Sequence, residues 1–210
     1  VSMAAGIVPG VGGELSGIIT LSIPNQRQDR IAKFISELDD EFTKLNIEVE
    51  ELKSRVNDYK YGAFSYNCLR NVANEVYEEK LVYYKNLYIS ALTSDEKNLL
   101  HCERVLKILS ELDYYEILYL KFYSDCEIPG NKNMEEIRKK LGFDNLRPTY
   151  FMSMDEQSKD EETYKQITLN NLCNAGLLDV ETKYVGKNFT PRINYKITVL
   201  GKLILRKIGI

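Results

Sequence analysis

The sequence predicts a mainly α protein in two parts, a long helical hairpin followed by a mixed α+β module. Three observations predict it. From Ile31 to Tyr59 apolar residues recur in alternating steps of four and three, the spacing of a coiled-coil seam. From Ser110 onward, helical patterns give way to two β-like runs, "LLDVETKY" and "INYKITVL". The chain has 210 residues, 44% hydrophobic and 28% charged, a balance typical of folded rather than disordered chains and long enough for one large or two small domains.

The first segment, residues 1–24, is a Gly-rich apolar lead with a single charge, Glu14. Gly6/Gly10 and Gly13/Gly17 both make G-x-x-x-G, which lets apolar helices approach closely in lipid. Pro9 and the glycines disfavour a soluble helix, and Glu14 is costly in a bilayer. Two readings stand: a lead that packs on the body or on a partner, or a conditionally membrane-inserting segment similar to fusion-peptide and glycine-zipper sequences. No basic n-region marks it as a secretory signal.

Residues 25–109 are expected to form a helical hairpin or coiled-coil domain. Its seam is Ile31, Ile35, Leu38, Phe42, Leu45, Val49, Leu52, Val56 and Tyr59, which as one helix would be about 43 Å long. Ile35, Phe42, Val49 and Val56 fall at a, the rest at d. Such a seam pairs either within the chain, with Gly62 at the turn, or between two chains as a homodimer. A second helix is expected over Phe64–Ala91. Thr93 with Glu96 reads as a capping box opening a third, with Leu99, Cys102, Leu106 and Leu109 on its inner side.

Residues 110–210 change in order. "LDYYEILYLKFY" reads as an amphipathic helix, "NMEEIRKKLGF" as a short helix, and "EETYKQITLNNLCNAGLLDVETK" as a longer helix closed by Ala175-Gly176. The two β-like runs follow, joined by the turn-rich "VGKNFTPR", then a turn at Gly201 and an apolar helix. Charge is uneven: from Lys183 to Ile210 there are seven basic residues and no acidic one, in a chain of net charge −3. That pattern excludes a whole-surface grip on nucleic acid and leaves a local one.

On "EEIRKKLGF", "LNNLCNAGLLD" and "YKITVLGKLIL", the C-terminal half resembles the winged helix-turn-helix superfamily, with the hairpin as wing. The resemblance implies DNA binding, the third helix in the major groove and the wing on the backbone. On it, Lys183, Lys187, Arg192 and Lys196 would bind phosphates, and Lys165, Gln166, Asn170, Asn171 and Asn174 would reach base edges. Two features depart from the family pattern: the acids Asp160, Glu161 and Glu162 at the start of the third helix, and the long stretch from Asp144 to Lys159. Winged helices also serve as protein-interaction modules, so a protein partner stands beside DNA.

No catalytic constellation, cofactor motif or metal site emerges. His101 is the lone histidine, and "PGVGGELSG" lacks the G-K-[ST] ending of a phosphate-binding loop. Cys68, Cys102, Cys126 and Cys173 include no C-x-x-C and read as reduced thiols of a cytoplasmic protein. The expected function is a non-enzymatic regulator or adaptor that dimerises through its long helix and binds DNA or protein. The alternative is a membrane-associated effector entering membranes through residues 1–24, an arrangement similar to that of small bacterial phage-defence or abortive-infection proteins.

Overall fold

Amphipathic spacing builds the first helices. The computed structural model describes residues 25–125, 133–141, 156–185 and 190–210; the lead segment, Lys187 and Cys126 lie outside them. Helix α1 spans Asn25–Lys44 and buries Ile31, Phe34, Leu38 and Phe42. Those steps of three, four and four follow a 3.6-residue helix, and they include Phe34, which the heptad reading leaves out.

The continuous helix expected over Ile31–Tyr59 is corrected. Asn46 takes a left-handed conformation, φ 52°, and the chain closes α1 around it. The Ile47 N–H donates to the Phe42 carbonyl at 3.2 Å and the Asn46 N–H to the Thr43 carbonyl at 3.1 Å, a Schellman closure. The seam therefore divides among α1, α2 (Val49–Asn57) and α3 (Tyr59–Asn74). Ile31, Leu38 and Phe42 are buried within the chain, and Ile35, Leu52 and Val56 are half-buried. Leu45 is 51% exposed and Tyr59 89%. Asp58 Oδ1 accepts from the Lys60 N–H at 2.9 Å and caps α3. Gly62 is not a turn residue: it lies inside α3, where a Cβ would come within 2.9 Å of the Val56 carbonyl.

The single helix expected over Phe64–Ala91 is likewise two, α3 and α4 (Glu78–Leu92). Glu75 makes the break. Its Oε1 accepts from the N–H groups of Val76 at 2.9 Å and Tyr77 at 3.1 Å, offering the backbone a local alternative to the helical ladder. Its Oε2 pairs with Lys80 Nζ at 2.7 Å, with both side chains under 10% exposed (8% and 4%), and accepts from the Tyr84 hydroxyl at 3.4 Å. Deeper in, the Tyr88 hydroxyl donates to Ser65 Oγ at 3.0 Å, while its ring meets Phe34 at 6.3 Å and Phe64 at 6.0 Å. Helix α5 (Glu96–Glu111) is capped by Asp95, not by Thr93: Asp95 Oδ1 accepts from the Asn98 N–H at 2.9 Å. Leu99, Cys102, Leu106 and Leu109 are buried on it, as their spacing predicts.

The chain divides into two compact units. The first comprises residues up to Glu111 together with Lys207–Gly209, and the second comprises Leu112–Arg206 with Ile210. In the first, Asn86 Nδ2 donates to the Ile208 carbonyl at 2.9 Å.

The second unit runs α6 (Tyr114–Asp125), α7 (Asn133–Lys140), α8 (Glu156–Asn174), β1 (Leu178–Val185), β2 (Thr190–Ile197) and α9 (Val199–Lys207). With these, the described residues hold nine helices and one antiparallel hairpin. Helix α6 is not simply amphipathic, because the consecutive residues Glu116–Leu120 are all buried; it packs against α7, α8 and β2. A reciprocal box starts it, Asp113 Oδ1 accepting from the Glu116 N–H at 2.7 Å and Glu116 Oε2 from the Asp113 N–H at 2.9 Å. Helix α8 begins earlier than expected, taking in Glu156–Lys159. It ends at Gly176, φ +70°, where Leu177 N–H reaches the Leu172 carbonyl at 2.9 Å. The strands extend into the predicted turn and pair Leu178 with Ile197 through Val185 with Thr190.

Gly201 is corrected from turn to close-approach residue. Thr198 caps α9, its Oγ1 accepting from the Gly201 N–H at 3.0 Å, and Gly201 lies buried in the first turn. A Cβ there would stand 2.6 Å from the Leu177 carbonyl, 2.8 Å from Ile197 Cγ1 and 3.2 Å from Leu120 Cδ1.

Candidate nucleic-acid interface

The expected base contacts sit on α8, and the structure sorts them. Leu169 and Leu172 anchor the helix inward, which turns Gln166, Asn170, Asn171 and Asn174 outward to exposed positions. Asn171 is tied inward nonetheless: its Nδ2 donates to Oε1 of the buried Glu116 at 3.1 Å. Gln166 Nε2 donates to the Tyr195 hydroxyl on β2 at 2.9 Å and to Asn170 Oδ1 at 3.2 Å. The Tyr195 ring in turn meets Tyr123 of α6 at 5.7 Å. Lys165 pairs with Glu162 at 3.2 Å. Asn170 is tied to Gln166 of its own helix, and Asn174 lies exposed one turn beyond it.

Three of the phosphate candidates, Lys183, Arg192 and Lys196, lie on the hairpin strands; Lys187 lies outside the described residues. The register sets Lys183 opposite Arg192 and Asp179 opposite Lys196, so charge is mixed along the ladder. Lys196 Nζ is 4.0 Å from Glu181 Oε1, both partly exposed; such a surface pair is worth little. The hairpin is joined to α8 through the Gln166–Tyr195 hydrogen bond, which brings the polar helix face and the mixed-charge ladder together.

Two further elements had no place in the sequence reading. The end of α7 exposes Arg138 and Lys139, next to a Lys140–Glu136 pair at 3.0 Å, where cations also suit the helix C-terminus. Tyr195 and Glu116 hold α8 through Gln166 and Asn171; their partners are distant in sequence, so no local pattern marks them. Near the start of α8, burial pushes the Tyr119 hydroxyl up to about 12, and the Glu162 charge adds to the rise.

Cys68 and Cys102 are buried free thiols and Cys173 is a half-buried one. Burial raises the pKa of all three, the opposite of nucleophile activation. His101 is exposed on α5. Among the described residues, no group of three or more His, Cys, Asp or Glu side chains is placed to hold a metal ion, and no helix is long and apolar enough to cross a membrane. Compared with known proteins, the chain matches no family model, no curated protein and no solved structure.

Proposed function

We propose that the chain is a non-enzymatic, cytoplasmic winged-helix regulator whose second unit binds duplex DNA. In this reading α8 enters the major groove and β1–β2 lies along the backbone. The observation that carries it is the joining of the exposed amides of α8, through Gln166 and Tyr195, to a hairpin that carries Lys183, Arg192 and Lys196 among mixed charges. Lys183, Lys187, Arg192 and Lys196 supply phosphate contacts, with Asn170 and Asn174 at base edges. Fluorescence anisotropy with a labelled duplex tests the reading. Affinity should fall as salt rises, with a log–log slope of about −0.9 per phosphate contact. Binding that ignores salt, or no binding, rejects it.

A protein partner is the second reading, favoured by the apolar and acidic residues in the first half of the same helix. Tyr164 is 71% exposed and Ile167 50%, and the exposed acids Asp160 and Glu161 precede them. Apolar side chains beside like-charged acids suit a protein better than phosphate. Salt-insensitive capture of a defined protein by wild type, lost in a Tyr164→Ala variant, would favour this reading. The expected homodimer stays a proposal in both readings; Ile31, Leu38 and Phe42 are buried within the chain, so they are not its contacts. The membrane-effector alternative rests on residues 1–24; liposome leakage that survives their deletion would reject it.

A further inference from the structure

The ties on α8 decide which of its faces is left for a ligand. Gln166 is engaged by Tyr195 and Asn170, and Asn171 by Glu116. These anchors, with Leu169 and Leu172 buried beneath, fix the helix in rotation. Ile167, Asn170 and Asn174 then share one outward stripe, at steps of three and four. None of these three side chains is charged, although exposed Asp160 continues the same spacing toward the start of the helix. Lys165 lies off it, paired with Glu162.

We propose that this stripe recognises A·T base pairs in the major groove, with Ile167 as a specificity residue beside Asn170 and Asn174. The inference rests on the DNA reading and names its ligand. Adenine presents N7 as acceptor and N6–H₂ as donor, which an asparagine amide matches with both of its ends. Thymine presents a C5-methyl group, the one apolar feature of the groove floor, and an aliphatic side chain is its natural contact. Guanine is read mostly by Arg or Lys at O6 and N7, and the stripe offers neither. Asn170 Oδ1 already accepts from Gln166 at 3.2 Å. That oxygen keeps a second lone pair for the adenine N6–H₂, and Nδ2 can donate to N7.

Selection from a randomised duplex pool, using the full chain, comes first. Selected duplexes should carry A·T pairs at the positions protected by the protein. Two substitutions in the selected duplex then isolate the contacts. Thymine to uracil removes only the methyl group and should weaken wild type several-fold, while leaving Ile167→Ala unaffected. Adenine to 7-deazaadenine removes N7 and should weaken wild type by on the order of tenfold or more, an effect absent in Asn170→Ala or Asn174→Ala. All three side chains are exposed, so each variant should melt with wild type, a check made in parallel. Salt-dependent binding with no A·T preference, or indifference to uracil and 7-deazaadenine, overturns this inference and spares the DNA reading. Absence of binding to every duplex removes both.

Discussion

Both units bury a charged side chain, Lys80 in the first and Glu116 in the second, but they arrange the polar groups around it differently. The first draws them inside: Glu75, Lys80 and Tyr84 form a buried cluster, and Ser65 with Tyr88 forms a buried hydrogen bond. The second keeps its apolar contacts beneath α8 and leaves amides outside, steadied by only a few bonds. A buried ion pair adds little net stability but makes alternatives costly, so the first unit is built to hold one arrangement of its helices. The second leaves Asn170 and Asn174 exposed on α8, where the proposed function would use them.

That contrast can be broken most forcefully at Lys80. Lys80→Met leaves Glu75 buried without its cation and should cost about 3–5 kcal/mol. In urea denaturation followed by hydrogen exchange, protection should fall first in α3 and α4. Equal loss in the second unit would mean that the two do not differ as described.

Gly201→Ala is the matching test of the second unit. Its Cβ would meet a backbone carbonyl at 2.6 Å, which no side-chain rotation relieves; overpacking of this kind costs about 1–3 kcal/mol. Exchange should rise in α6, β2 and α9. A variant as stable as wild type would show that this approach is looser than described.

Alkaline pH separates the units by their tyrosines. Burial raises the Tyr88 hydroxyl to about 12, against a smaller lowering by its bond to Ser65, and burial also raises Tyr119 to about 12. Each folded value lies above the unfolded one of about 10. The unfolded state therefore loses these protons first, and the stability they provide is full below pH 10 and lost as pH climbs toward 12. Tyr88→Phe should flatten that loss in the first unit and leave the Tyr119 contribution in the second. An unchanged pH profile would contradict the assignment.

Thr198→Ala removes the α9 cap and should cost about 1 kcal/mol, read as a shift in urea midpoint. Smallest of all, Asn170→Ala and Asn174→Ala should stay within about 0.5 kcal/mol of wild type. A larger loss at either would show that the outward stripe bears on folding.

How much of this was legible depended on where each partner lies. Gly176 and Asn46 close helices in the same way, yet only the glycine announces it; asparagine adopts the left-handed position less often, and an unbroken heptad ran across it. The α3–α4 break was hidden because Glu75 looks like any surface acid until Lys80 and Tyr84 close around it. Gly201 was seen but misassigned, since a glycine needed for closeness and one needed for a turn look alike in sequence. The outward amides of α8 were readable from polarity and spacing against Leu169 and Leu172. Their ties to Glu116 and Tyr195 were not, because those partners come from other elements of the fold.

The junction of Tyr195 with Gln166 and Tyr123 also has a practical side. The chain contains no tryptophan, so a Tyr195→Trp substitution would install a solitary indole where hairpin, α6 and α8 meet. Its emission would report, without labels or background, whenever something settles against that corner of the molecule.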